Sequence, residues 1–307
     1  MKPLTILITG ATAGIGRHTA LALAKAGHRV FAAGRRQSAL ESLEKEALAE
    51  SAKGGAAGSG TRLKLEGIVM DVTKAESIEA AKKVIDERTG GYGVDALVNN
   101  AGFGMLGPLE DLGDEKLRNQ FETNVFGLMA VTRAFLPQMR ERGFGRIVNV
   151  SSLGGRMTFP LMGAYNATKY AVESLSDALR NEVHAFGVGV SLIEPGYIRT
   201  EFADVAMSQL EARPGSPFAP LMSKAGEVLA LFEKTGVGPE HVSRAIRKAI
   251  ESRRPSARYV APWRTYMALW LVSILPTSWV DAAYRAVMGL TKRSLGKALP
   301  QKSAVAL

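Results

Sequence analysis

Short apolar runs alternate with longer amphipathic stretches through the first 195 residues of the chain. Leu4-Thr5-Ile6-Leu7-Ile8-Thr9 is apolar toward both sides and rich in β-branched residues, the pattern of a strand buried in a parallel sheet. Similar runs near 29–33, 63–70, 94–98, 146–150 and 188–194 predict further strands, with a last short one near 257–260. His18 to Ala24 and the segments 114–142 and 164–186 carry helical spacing. This regular alternation predicts an α/β fold, a doubly wound parallel sheet of the Rossmann type covered by helices on both faces. One domain over residues 1–260 would hold it, followed by a helical extension over 261–307. Ser51 to Gly60, composed of Ser, Ala, Lys and Gly, reads as a flexible insertion without a role of its own.

The glycines fall where chemistry needs them. Gly10-Ala11-Thr12-Ala13-Gly14-Ile15-Gly16 links the first strand to the first helix. Gly10 permits a tight turn, Gly14 leaves room for a close backbone approach, and Gly16 lets helix and strand pack closely. A pyrophosphate would rest at the helix N-terminus, against outward N–H groups. The spacing is wider than the common G-x-G-x-x-G. The second strand ends in Gly34-Arg35-Arg36. An NAD site usually places an acid there for the ribose 2′-hydroxyl, and a guanidinium instead suits a 2′-phosphate. The expected cofactor is therefore NADP(H) rather than NAD(H), with Arg35 nearest the adenosine ribose and Arg36 second. A solvated basic turn is the competing reading.

Tyr165 and Lys169 are four residues apart, on one helix face. A phenol ordinarily titrates at about 10, and an ammonium beside it favours the phenolate. Ser152 upstream can hold a carbonyl or alcohol oxygen. Together they form a proton-transfer device for interconverting an alcohol and a ketone. Ser151 is the rival serine; adjacent strand-end residues point to opposite sides.

Six motifs in order carry a resemblance to the short-chain dehydrogenase/reductase family: Thr9 to Gly16 as TGxxxGxG, Asn99-Asn100-Ala101-Gly102 as NNAG, Asn124, Ser152 with Tyr165 and Lys169, and Pro195-Gly196 with the following Thr200. Twelve residues separate the serine from the tyrosine. The resemblance covers about residues 4 to 250, leans toward the hydroxysteroid and retinol dehydrogenase branch, and selects Ser152 over Ser151. It implies catalytic roles for Asn124, Ser152, Tyr165 and Lys169. Lys169 would bind the nicotinamide ribose hydroxyls and keep Tyr165 near its ionised form; Asn124 would hold a water leading to solvent. It implies cofactor contacts from Gly10, Thr12, Ala13, Gly14, Ile15, Gly16, Asp71 (adenine amino group), Val72, Asn99, Ala101 and Gly102, and from Pro195, Gly196, Ile198 and Thr200 near the nicotinamide. The segments 114–142 and 164–186 would form a homodimer or homotetramer interface. Residues 197–235, broken by Pro214, Pro217 and Pro220, resemble the family's lid. Phe202, Val205, Met207, Leu210, Phe218 and Met222 on the lid, facing Phe159, Leu161 and Met162, point to an apolar substrate of steroid, retinoid or long-chain type. The other class left open is a nucleotide-binding regulatory or scaffold protein without turnover, which the intact tyrosine and lysine disfavour.

Charge adds one asymmetry. Residues 252–307 hold nine Lys/Arg and a single acid, Asp281, whereas the first 251 hold 30 basic and 28 acidic side chains. Tyr266 to Leu275 is apolar nearly all round, and its ten residues fall short of the about 20 that span a bilayer. Thr277 or Ser278 is placed to cap a second helix bearing Trp279, Val280, Tyr284, Val287, Met288 and Leu290, with Asp281 complementing its N-terminus. Two readings compete: a hairpin packed beside the cleft, and an anchor on an anionic membrane surface. Nucleic acid is not expected as a partner, because the charge comes without a binding motif. The chain has no cysteine, and its four histidines are scattered, so no metal is expected. Met1-Lys2-Pro3 precedes a strand too short for a secretory signal, and a cytoplasmic protein, free or peripheral at a membrane, is expected.

Overall fold

The computed structural model describes residues 2–54, 63–208, 210 and 215–290. Seven parallel strands form one sheet in the order β3-β2-β1-β4-β5-β6-β7. They are β1 (Thr5–Ile8), β2 (Arg29–Gly34), β3 (Leu65–Val69), β4 (Ala96–Asn99), β5 (Gly145–Val150), β6 (Val188–Pro195) and β7 (Arg258–Ala261). The helices between them are α1 (Gly14–Lys25), α2 (Gln37–Gly54), α3 (Ala75–Thr89), α4 (Asp114–Phe121), α5 (Leu128–Glu141), α6 (Gly163–Glu182), α7 (Phe202–Ser208), α8 (Ala219–Thr235) and α9 (Glu240–Glu251). Then come α10 (Thr265–Ile274) and α11 (Thr277–Met288).

Two cores sandwich the sheet, and β1 shows why its sequence is apolar throughout. Ile6 and Ile8 pack with Leu23, Leu43, Val242 and Ile246 on one face. Leu7 packs with Phe31, Ile85, Val131 and Phe135 on the other. Side chains alternate along a strand, so a strand covered on both faces must be apolar at every position. The strand order reverses between β1 and β4, which opens a crevice beyond their C-terminal ends.

The expected strands are all present. The segment 114–142 is not one regular helix: a π-helical turn, Glu122–Gly127, joins α4 to α5. Gly127 sits where a Cβ would lie 2.9 Å from Val72 Cγ2 and 2.9 Å from the Val72 carbonyl oxygen. The insertion begins later than expected, because Ser51 to Gly54 complete α2; the Ser51 hydroxyl donates to the Ala47 carbonyl and accepts from the Leu63 N–H. The rest of that insertion lies outside the described residues. Pro220 falls in the first turn of α8, where its missing N–H costs nothing; Pro214 lies outside the described residues. The second tail helix departs from its expected cap. Pro276 is its N-cap, no side chain bonds the first turn, and Asp281 falls beyond that turn. The restricted φ of proline starts this helix in place of a hydroxyl.

Candidate active site

The β1–α1 turn is locked from β4. The Thr9 hydroxyl oxygen accepts from the N–H groups of Asn100 and Ala101 at 3.0 and 2.9 Å. The Asn100 amide donates in return to the carbonyls of Thr9 and Gly10, both at 3.1 Å. Gly10 has φ +64° and Gly14 φ +50°, a region in which a side chain is strained. No side chain caps α1 at Ala13, and its first turn holds no acid. Ile15 packs onto the core beside it. This is a ready cradle for an anion.

The adenosine side is built from β2 and β3. Thr12 rests on Gly34, where a Cβ would come within 2.4 Å of the Thr12 methyl. Arg35 and Arg36 stand exposed just beyond. Asp71 follows β3. Burial pushes its carboxyl up, but hydrogen bonds from Thr73 and the charges of Arg35 and Lys74 outweigh that and hold it below the usual carboxylate range. An ionised acceptor thus stands near Arg35, and Val72 is buried next to it. Asn99 turns its amide into the core, donating to Thr132 and Asn149 at 2.9 Å each. What it can offer a ligand is therefore backbone, as with Ala101 and Gly102.

Across the crevice, the π turn presents Asn124. Its Nδ2 donates to the Phe103 carbonyl and the Thr168 hydroxyl at 3.0 and 3.1 Å, and its Oδ1 accepts from Phe103 N–H. A Cβ on Gly102 would lie 3.0 Å from Asn124 Oδ1 and 3.9 Å from Lys169 Nζ, so amide, amine and NNAG loop meet at one point. Lys169 is buried, donates to the Val150 carbonyl at 2.8 Å, and holds Nζ 5.8 Å from the centre of the Tyr165 ring.

Ser152 and Ser151 diverge. The Ser152 hydroxyl accepts from Gly154 N–H at 3.0 Å and acts on the Tyr165 phenol. Ser151 is buried and turned to Glu173. Burial pushes the Tyr165 phenol up to about 12, with Ser152 pulling the other way. Burial brings Lys169 down to about 8, opposed by the charge of Glu173. This departs from the sequence expectation that the lysine makes the phenol acidic. Within the protein alone, desolvation dominates both groups, and the ammonium is spent on Val150.

The segment after β6 covers the Tyr165 end of the crevice. The Phe202 ring lies 5.5 Å from the Tyr165 ring at 59°, and its edge fills the space a Cβ on Gly104 would need, 2.6 Å away. Thr200 approaches the phosphate turn, 3.2 Å from a Cβ on Gly14. Ile198 bridges to Val237, and Pro195 pairs in register with Ala261, so the turn through Gly196 is pinned to the sheet. Phe159 stacks on Tyr284 of α11 at 5.6 Å. Leu161, buried with φ +65°, packs with Leu221, Met288 and Phe218. The hairpin α10–α11 therefore borders the same wall as the lid. Met162 caps the start of α6, beside Tyr165. Val205 and Met207 lie on α7, Leu210 follows it and Met222 lies on α8; Met207 lines a cavity with Tyr197, Arg199 and Thr200.

Sequence reasoning passed over Thr9, Asn100, Thr168 and Glu173. For Glu173 a signal existed: Tyr165, Lys169 and Glu173 follow at four-residue steps along α6. Among the described residues no cluster of His, Asp or Glu could hold a metal ion.

A doubly wound sheet with a glycine turn at its switch point and a half-buried serine beside a buried tyrosine–lysine pair defines a dinucleotide-dependent oxidoreductase. The comparisons agree. The short chain dehydrogenase family matches residues 4–211. The 3-ketodihydrosphingosine reductase of Bacteroides thetaiotaomicron is 35% identical over 260 residues, 84% of this chain and 87% of that protein. Retinol dehydrogenase 16 of Rattus norvegicus is 33% identical over 293 residues, 91% of this chain and 87% of that one. The solved structure of a short-chain dehydrogenase from Streptomyces avermitilis superposes with a TM-score of 0.72 at 33% identity, covering 96% of this chain and 99% of that one. The chain belongs to the short-chain dehydrogenase/reductase family, on its hydroxysteroid and retinol dehydrogenase side. It is an oxidoreductase of the kind that acts on CH–OH groups with NAD(P).

Proposed function

We propose that this enzyme interconverts a lipophilic alcohol and its ketone or aldehyde with NADP(H), using Tyr165 as the acid and base. The observation that carries this reading is the convergence of Asn124, Ser152, Tyr165 and Lys169 at the crevice, under the Phe202 ring. When bound, the coenzyme supplies or accepts the hydride. Ser152 donates a hydrogen bond to the substrate oxygen, where charge develops. Tyr165 delivers the proton to that oxygen in reduction and removes it in oxidation. Lys169 holds the nicotinamide ribose and favours the phenolate; Asn124 anchors the water path behind it. Pro195, Gly196, Ile198 and Thr200 would border the nicotinamide. Phe159, Met162 and Phe202 offer the substrate apolar walls, which fits the sphingoid and retinoid names carried by relatives.

The test is a panel of lipophilic ketones, aldehydes and alcohols, followed by absorbance of the reduced coenzyme. NADPH is expected to outperform NADH. Arg35 and Arg36 support this, since a 2′-phosphate gains charge-assisted hydrogen bonds from them. Arg35→Glu should lower kcat/KM with NADPH by about 30-fold or more and leave NADH use nearly unchanged, from the loss of about 2 kcal/mol of charged hydrogen bonding. Equal loss with both coenzymes would rule out the phosphate role.

Leu117, Phe126 and Tyr170 are exposed on the two segments expected to pair, which supports a homodimer or homotetramer. Membrane-surface contact has separate support. No described helix is long and apolar enough to cross a bilayer. Yet Trp263 is 73% exposed, and Tyr266, Met267, Trp270, Leu271 and Ile274 are exposed along α10. Such a face, in a segment whose sequence holds nine Lys/Arg to one acid, suits an anionic lipid surface. The full chain is expected to sediment with anionic liposomes, and the double variant Trp263→Ser, Trp270→Ser to partition about tenfold less. Equal partitioning would exclude this role and leave a hairpin that only packs on the lid.

A further inference from the structure

Beneath Lys169 lies a set of charges that the proton relay described above does not use. Glu173, one turn along α6, is almost fully buried, and Glu194, the residue before Pro195, is completely so. Both carboxylates face one guanidinium. Arg258 Nε lies 3.1 Å from Glu173 Oε2 and 3.1 Å from Glu194 Oε1, and its Nη2 lies 2.6 Å from Asp177 Oδ2. Arg156 approaches Glu194 from the 3₁₀ turn after Ser152, at 3.5 Å. Register explains how Arg258 arrives there. It pairs with Leu192 at the start of β7, and this last strand carries it under α6.

Two buried acids side by side would ordinarily neutralise one of themselves. Burial, joined by Glu194, pushes Glu173 above the usual carboxylate range, and Ser151 and Arg258 offset only part of that. Burial likewise pushes Glu194 up against Arg156 and Arg258. Asp177 is also paired with Arg180, at 2.7 Å, so with Lys169 included the cations Lys169, Arg258, Arg156 and Arg180 outnumber the anions Glu173, Glu194 and Asp177 by one. Removing one partner of such a set leaves an uncompensated charge.

We propose that Glu173 is a positioning residue that keeps Lys169 in its ammonium form, and that Arg258 keeps Glu173 ionised for that purpose. The proposal rests on the reading of Tyr165 and Lys169 as the proton relay and extends it one helical turn deeper. The polar and charged groups around Lys169 are these. Tyr165 and Glu173 share its helix; the Val150 carbonyl accepts from it at the end of β5; Asn124 meets it at Gly102; Arg258 reaches it through Glu173, and Glu194 and Arg156 stand behind Arg258. Glu173 is the one whose charge raises the amine against its burial.

The test is Glu173→Gln, which keeps the shape and removes the charge, alongside Glu173→Asp, which keeps the charge. Arg258 retains Glu194 and Asp177 in both, so folding should survive. The Lys169 amine is titrated directly by NMR of ¹³C-labelled lysine, with Lys169→Arg assigning the signal. Glu173→Gln should lower the Lys169 pKa by about one unit, and Glu173→Asp should restore most of it. The high-pH limb of alcohol oxidation should move down with it. If Glu173→Gln titrates at the wild-type value and only unfolds at lower temperature, the cluster is structural and the proposal fails. Should no alcohol in the panel turn over, the oxidoreductase mechanism is in question, while the lysine titration still decides the role of Glu173.

Discussion

Replacing Tyr165 with phenylalanine is expected to cut ketone reduction by about 10²–10⁴-fold and to leave coenzyme affinity nearly intact, the scale of losing a positioned general acid. The ring would keep its place, because burial and the Phe202 ring 5.5 Å away hold it. The Thr168 hydroxyl bonds the Tyr165 backbone carbonyl, which the substitution leaves alone. Only the proton carrier disappears. Its pH signature runs in opposite senses for the two directions. Reduction needs the protonated phenol, so its rate falls as pH rises past the working pKa; oxidation needs the phenolate, so its rate rises. Burial pushes Tyr165 up to about 12 even with Ser152 pulling down, too high for useful oxidation near neutrality. Lys169, at about 8, is still mainly an ammonium at pH 7 and can supply the missing stabilisation once its amine swings from Val150 toward the phenol. Wild-type profiles of kcat/KM should therefore cross, and the residual activity of Tyr165→Phe should be flat in both directions. A variant within a few-fold of wild type would show that the proton comes from another group.

The elements of this fold that a reader of the sequence can see are those governed by local rules. A strand covered on both faces has to be apolar at every position, as β1 is, and a turn with φ +64° and +50° requires the glycines at 10 and 14. The divergence of Ser151 and Ser152 follows equally from the pleat of β5. What stays hidden is set by distant partners. Asn99 belongs to the NNAG motif, yet its amide is captured by Thr132 and Asn149, which only the packing of α5 and β5 brings near. The π turn at Asn124 arises where Gly127 must fit against Val72, over 50 residues earlier in the chain. Arg258 meets Glu173 only because β7 is the last strand added to the sheet. For a related reason the burial of Tyr165 is hidden: sequence spacing places the ammonium near the phenol but does not show the burial that opposes ionising either one.

Gly16→Ala is expected to damage stability and coenzyme binding together, although it adds one methyl group. That methyl would lie 2.3 Å from the Gly10 carbonyl oxygen, 2.9 Å from the Gly10 carbonyl carbon and 2.5 Å from Asn100 Nδ2. None of these can yield alone. Gly10 is itself hemmed in, since a Cβ there would sit 2.7 Å from Ala101 Cα, and the Asn100 amide is the brace between the two loops. Relief requires α1 to move off β1 and its first N–H groups to leave the anion cradle. Overpacking of this kind costs about 3 kcal/mol. In a chain of this size that corresponds to a fall of about 5 °C in Tm. Calorimetric titration with NADPH should show affinity reduced by about tenfold or more, because the dipolar helix end no longer meets the phosphates. Gly226→Ala in α8 is the internal control. No atom lies within 4 Å of that added methyl, and alanine in a helix is favoured over glycine by about 0.5–1 kcal/mol, so Tm should hold or rise. Equal effects from the two substitutions would mean that the close approach at Gly16 is not what shapes the phosphate turn.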